Sequence, residues 1–196
     1  MTFAMTAPLV CGHRRAGGLQ SSAILLARTL AHKAPTRIQL CGRLAVELDG
    51  RDLTPRLPGG QARTLFTYLV VNRARPARRE ELIEALWPWR VPAGADASLS
   101  ALLSRLRSLL GPSVLRGRTP ITVELPPDAW IDIEAAHDAI HRAEAAVAQQ
   151  DWERGWGPSL VALFTARRGF LPGEDLPWAE EHRRRLEEIR SAALEC

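Results

Sequence analysis

With 196 residues, 46% of them hydrophobic and 24% charged, and a formal net charge of +4, the chain has room for one or two small globular domains. None of its apolar runs approaches the roughly 18–20 residues that cross a bilayer, so a membrane partner is not expected. Cys11, Cys41 and Cys196 are odd in number, far apart and without CxxC spacing, which excludes a disulfide framework or zinc cage and fits the reducing cytoplasm.

The charge is unevenly spread. Between residues 59 and 119 ten arginines face only Glu80, Glu81, Glu84 and Asp96, whereas from 128 onward fourteen acids face eight arginines. A basic half joined to an acidic half predicts two domains, the first with a polyanion as partner. Residues 1–36 contain no acid. Their apolar piece "SSAILLARTLA" is broken by Arg28 and makes a poor secretory core, so the expectation is a disordered basic leader.

"RIQLCGRLAVELDGRDL" (37–53) alternates as strands do, with Ile38, Leu40, Leu44, Val46 and Leu48 on one face and a hairpin turn at Asp49-Gly50. This predicts a small antiparallel sheet. After "LPGG" the period becomes helical, and Leu65, Phe66, Leu69 and Val70 form a stripe. Pro76 then introduces "RREELIEALW", with Glu80 and Glu81 suited to a helix N-terminus and Pro88 as a stop. A Pro/Gly-rich link at 88–96 leads to a third helix, with Asp96 expected as its cap. On that helix Leu99, Leu102, Leu103, Leu106, Leu109 and Leu110 gather on one arc. Ala97, Ser100, Ala101, Ser104 and Ser108 oppose them, and Arg105 and Arg107 stand at the edges. Gly111 and Pro112 end the helix, and "VLRGRTPITVEL" (114–125) reads as a hairpin tipped by Arg116, Gly117, Arg118 and Thr119. From 128 the chain reads as helical: about 128–150, then 151–166, then Trp178 to residue 196.

Strands, three helices and a basic hairpin in that order are the signature of a winged helix. Small side chains on the outer face of the third helix let its backbone sink into a major groove about 12 Å wide, and arginine can bond guanine or clamp phosphate. Double-stranded DNA is therefore the expected partner. The alternative is a helical protein-interaction module with little DNA affinity.

The pieces "GRLAVELDGRDL", "LPGGQARTLFTYLVVNRARPARREELIEALW", "LSALLSRLRSLLG" and "RGFLPGEDLPWAEEHRRRLEEIRSAALEC" resemble the Streptomyces antibiotic regulatory protein family. In that family an OmpR-type winged helix is fused to a tetratricopeptide-like bacterial transcriptional activator domain. The resemblance implies an α+β fold with a DNA-binding domain over 37–127 and a partial, all-α activator domain over 128–196. It implies base contact by Arg105, phosphate contact by Arg107, Ser98 and Ser104, and groove-facing Ser100 and Ala101. Arg116, Arg118 and Thr119 would touch DNA from the wing. Trp89 and Arg90 would form a loop that meets RNA polymerase, and the helical half would serve activation or homodimer formation. Departures include Leu102 at a position often polar in the family, Arg78 where the second helix usually has a serine cap, and "PITVEL" in place of a Gly-Tyr pair after the wing. The family's activator domain also runs well past the point reached at residue 196.

Other constellations carry less. His137 and His141 have a spacing that can bind zinc, but no third ligand is evident, and two solvated helical histidines are expected. No GxSxG, phosphate-loop lysine or paired catalytic cysteine occurs, so neither enzyme activity nor a cofactor is expected. Arg183, Arg184 and Arg185 read as partners of glutamates on their own helix. Trp87, Trp152, Trp156 and Trp178 are expected to pack in the interior, and Trp89 to be exposed.

Overall fold

The alternating residues near the start of the basic half do form strands. The computed structural model describes residues 35–196, and the expected leader lies, but for its last two residues, outside them. β1 (Arg37–Gln39), β2 (Ala45–Leu48) and β3 (Arg51–Asp52) form an antiparallel meander, with Ile38 opposite Val46 and Leu48 opposite Arg51. Asp49 and Gly50 both have positive φ, at 48° and 74°, as a two-residue hairpin turn of matching twist requires. Ile38, Leu40, Val46 and Leu48 are buried, as the alternation predicts.

Three helices follow. α1 (Gln61–Val71) is buried on almost every side and forms the centre of the basic half, with α2 (Arg79–Leu86) and α3 (Ala95–Leu110) packed against it. The leucine arc of α3 is the buried one: Leu99, Leu103, Leu106 and Leu110 are inside, with Leu102 and Leu109 partly covered. Asp96 is not the cap expected from sequence. The helix begins two residues earlier, with Gly94 as its cap and Ala95 as its first residue, and Asp96 lies in the first turn, where its charge complements the dipole.

β4 (Leu115–Arg116) and β5 (Thr122–Val123) pair antiparallel as the wing. A two-way backbone bridge between Ala77 and Ile121, with N···O distances of 2.8 and 2.9 Å, ties the wing to the α1–α2 connection. The chain then enters β6 (Trp130–Ile131), which pairs parallel with β1. The first sheet is therefore four-stranded and mixed, in the order β3-β2-β1-β6, rather than purely antiparallel. Residues 130–131, which the sequence assigns to the head of the helical half, belong to this sheet.

α4 (Asp132–Ala148), α5 (Trp152–Ala166) and α6 (Pro177–Glu195) complete the described chain. α4 and α5 approach closely because their facing residues are small, among them Ala139, Ala143, Gly155 and Ala162. Asp151 caps α5 by accepting from the Arg154 amide at 3.2 Å. Residues 35–196 lie in one compact unit, stitched by contacts between its basic and acidic parts. Trp178 of α6 stands edge-on to Tyr68 of α1, with ring centroids 5.0 Å apart, and donates its indole N–H to the Ala85 carbonyl of α2. Arg73 holds both carboxylate oxygens of Glu134 on α4. The architecture is α+β, a small strand-and-helix winged fold followed by helices, and no described helix is long and apolar enough to cross a membrane.

Candidate nucleic-acid interface

Burying the leucine arc of α3 forces its reverse side outward. Ala97, Ser100, Ala101, Ser104, Arg105 and Ser108 recur at helical spacing and are all exposed, and Ser98 is exposed beside them. This surface is low, apart from the guanidinium of Arg105, which has no ion-pair partner among the described residues. The face predicted from sequence is present as a continuous strip.

Arg107 does something other than stand beside Arg105. Its guanidinium donates to the Gly117 carbonyl at the turn of the wing, so it fixes the hairpin against α3. Gly117 has a φ of 75°, and a Cβ there would lie 2.1 Å from the Pro120 carbonyl oxygen, so only glycine fits. Arg116 belongs to a strand rather than the tip, and it pairs with Glu124 at 3.0 Å across the hairpin. Arg118 and Thr119 are exposed at the tip, with Arg118 lacking a side-chain partner among the described residues.

Arg79 is a residue that the sequence reading passed over. It reaches from α2 to α3, where it donates to Asp96 Oδ1 at 2.8 and 2.9 Å and to Ser100 Oγ at 2.8 Å. The clasp sets the angle between these helices and orders one hydroxyl of the exposed strip. A signal existed: a cation in the first turn of a helix opposes the helix dipole, which suggests a partner elsewhere. Behind it, Glu81 accepts from Tyr68 Oη at 2.5 Å and from Arg75 at 2.6 and 2.9 Å. The Arg75 hydrogen bonds, helped by Tyr68 and opposed by partial burial, lower the Glu81 carboxyl to about 2. Burial, above all, raises the Tyr68 phenol to about 12. Arg78 is the α2 cap residue, and its side chain makes no capping bond.

Trp89 is 73% exposed on the α2–α3 loop, with Arg90 and Val91 beside it. Of the other tryptophans, Trp87 is partly buried against the core and Trp178 packs as expected. Trp152 and Trp156 do not: they are 61% and 69% exposed on α5. Helical spacing put them on one face, but the small residues Gly155, Ser159 and Ala162 take the inner face of that helix.

Asp132 was also missed. Its carboxylate is wholly buried and accepts from the amides of Leu40 at 2.8 Å and Cys41 at 3.0 Å, with Arg168 3.6 Å away. Burial pushes its carboxyl upward while the two amides and Arg168 pull it back. Burial and the neighbouring Asp132 carboxylate likewise keep Cys41 a thiol. His137 and His141 are exposed with their rings 4.4 Å apart, and no metal-holding group of three ligands occurs among the described residues. Arg184, Arg185 and Arg190 pair with glutamates on α6, as does Arg183, which also donates to the carbonyls of Phe170, Leu171 and Glu174.

No protein-family model matches the chain. It is 31% identical over 160 residues to the regulatory protein AfsR of Streptomyces coelicolor, which covers 81% of this chain and 16% of that protein. Over 87 residues it is 36% identical to the transcriptional regulatory protein EmbR of Mycobacterium tuberculosis, covering 44% of this chain and 22% of EmbR. A solved structure of Mycobacterium tuberculosis EmbR in complex with a low affinity phosphopeptide superposes with a TM-score of 0.70 at 27% identity, over 81% of this chain and 43% of that one. In sequence and fold the chain is thus similar to the regulatory protein AfsR and the transcriptional regulatory protein EmbR. The chain spans less than a quarter of the length of these curated relatives.

Proposed function

We propose that this chain is a sequence-specific DNA-binding regulator of transcription, acting as an activator in the cytoplasm. The observation that carries the reading is the low, exposed strip of α3, with a basic hairpin bonded beside it through Arg107. Residues 37–127 would be the DNA-reading part and residues 128–196 a partial activator domain. The strip enters the major groove: Ser100 and Ala101 allow close approach, Arg105 reads a base edge, and Ser98 and Ser104 contact phosphates. Arg118 and Thr119 touch the backbone from the wing, and Arg116 joins them from its strand. Arg107 contributes chiefly by aiming the wing, and any phosphate contact it makes comes from the same position. Trp89 and Arg90 on the exposed loop would meet RNA polymerase.

Ala101→Glu tests the reading without disturbing the core, because residue 101 is exposed on the strip. Binding to mixed-sequence duplex should fall steeply with salt for the unchanged chain, in proportion to the phosphates neutralised. The variant should bind at least about tenfold more weakly, because a carboxylate is forced against phosphates and base acceptors. Equal binding by the variant would contradict the placement of α3 in the groove.

A further inference from the structure

A serine hydroxyl carries one proton and two lone pairs, and the fold has already committed most of what Ser100 has. Arginine has no acceptor, so in the 2.8 Å contact with the terminal nitrogen of Arg79 the Ser100 oxygen accepts. The hydroxyl proton goes to the Asp96 carbonyl one turn back, at 2.9 Å. One lone pair remains, on an exposed side chain. Asp96 is in a similar state. Its Oδ1 takes the bonds from Arg79 at 2.8 and 2.9 Å, while Oδ2 has no hydrogen-bond partner among the described residues and the side chain is 72% exposed. Arg79, the donor of this clasp, is only 21% exposed. Four residues apart, Asp96 and Ser100 are neighbours on one edge of α3, and together they turn acceptors outward.

Few groups of a duplex match such an edge. Phosphates only accept. In the major groove guanine presents two acceptors, thymine an acceptor and a methyl group, and adenine an acceptor beside its amine. Cytosine presents its N4 amine, a donor with no acceptor next to it. Two acceptors without an outward donor therefore fit cytosine, and they leave adenine N7 facing a carboxylate. The Arg79 guanidinium offsets the Asp96 charge, which lets the carboxylate lie between phosphate backbones that would otherwise repel it.

We propose that Asp96 and Ser100, held by Arg79, form a reading site for the N4 amine of a cytosine in the major groove. The site rests on the proposed placement of α3 in that groove, and it adds the identity of a base. Ser100 and Arg105 are five residues apart, about 7.5 Å along the helix, and base pairs rise by about 3.4 Å. The cytosine therefore lies within about one to three base pairs of the position read by Arg105.

Selection from a random duplex pool with the full chain, Ser100→Ala and Asp96→Asn tests it, with circular dichroism to show that each variant is folded. Ser100→Ala should lose about three- to tenfold of the preference for cytosine at one position and keep the rest of the motif. Asp96→Asn retains Oδ1 for Arg79 but puts an amide donor in place of Oδ2. That donor can meet adenine N7 while Ser100 accepts from N6, so the same position should move from cytosine toward adenine by about tenfold. A purely structural clasp would weaken binding in both variants without exchanging one base for another. A motif in which both variants keep the same base, or in which the affected position prefers guanine or thymine, overturns the site and leaves α3 in the groove. A pool from which the unchanged chain enriches nothing overturns the placement of α3 and the site with it.

Discussion

Arg105 and Arg107 are two positions apart on α3 and face different tasks, because a helix turns by about 100° per residue. Arg105 points outward from the strip, while Arg107 is turned toward the wing and holds the Gly117 carbonyl. The spacing of leucines made the first placement legible in the sequence. The second was not legible, since it depends on where a hairpin ten residues later comes to rest. The same distinction separates Ser100, whose exposure followed from periodicity, from Arg79, whose bond to Ser100 comes from another helix. Glu81 offers a test at this scale. Its carboxyl sits at about 2 against an ordinary 4.5, chiefly through hydrogen bonds from Arg75, so the fold favours its charged form. The resulting stability is complete above pH 4.5 and disappears as the pH falls toward 2. Glu81→Gln should therefore melt at a lower temperature than the unchanged chain at pH 7, and the difference should close as the pH is lowered through that window. A difference that stays constant with pH would show that the charge has no part in it.

Among the elements, those with a long periodic pattern or a strong turn signal were readable, and β6 was not. α1, α3 and the hairpin at Asp49-Gly50 have strong local signals, and they stand where periodicity and turn chemistry put them. β6 has only Trp130 and Ile131, and the acids that follow read as the start of a helix, which they are. What turns these residues into a strand is the pairing with β1 together with Asp132, whose carboxylate holds the Leu40 and Cys41 amides as β1 ends. This single side chain joins the sheet to the first helix of the acidic half. Asp132→Ala should destabilise the chain by about 2–6 kcal/mol, because two buried amides lose their acceptor at about 1–3 kcal/mol each. Asp132→Asn, which retains one acceptor oxygen, should lose less. Denaturation by urea measures both, and equal stability of all three chains would show that the amides have other partners. α5 shows the limit of reading by helical spacing. The pattern puts Trp152 and Trp156 on one face, but which face turns inward was decided by Gly155, Ser159 and Ala162, whose small size lets α4 approach.

For the molecule as a whole, the basic-to-acidic change in composition does not coincide with a break in the structure. Trp178 against Tyr68, Arg73 on Glu134 and β6 beside β1 bind the halves into one unit. If the proposed function holds, contacts made by the helical part bear directly on the part proposed to read DNA. Charge asymmetry and element order in the sequence pointed to the winged fold, and the structural likeness to EmbR agrees with it. The joints between the halves were hidden, because each pairs residues dozens of positions apart. The central claim is that α3 reads sequence through Arg105. Selection of bound duplexes from a random pool at moderate salt, with the full chain and with Arg105→Ala, tests it most directly. The account predicts a defined motif for the unchanged chain and the same motif blurred at one position for the variant, at a cost of about 1–3 kcal/mol for the preferred base. No enrichment, or enrichment of the same unblurred motif by both chains, would contradict it.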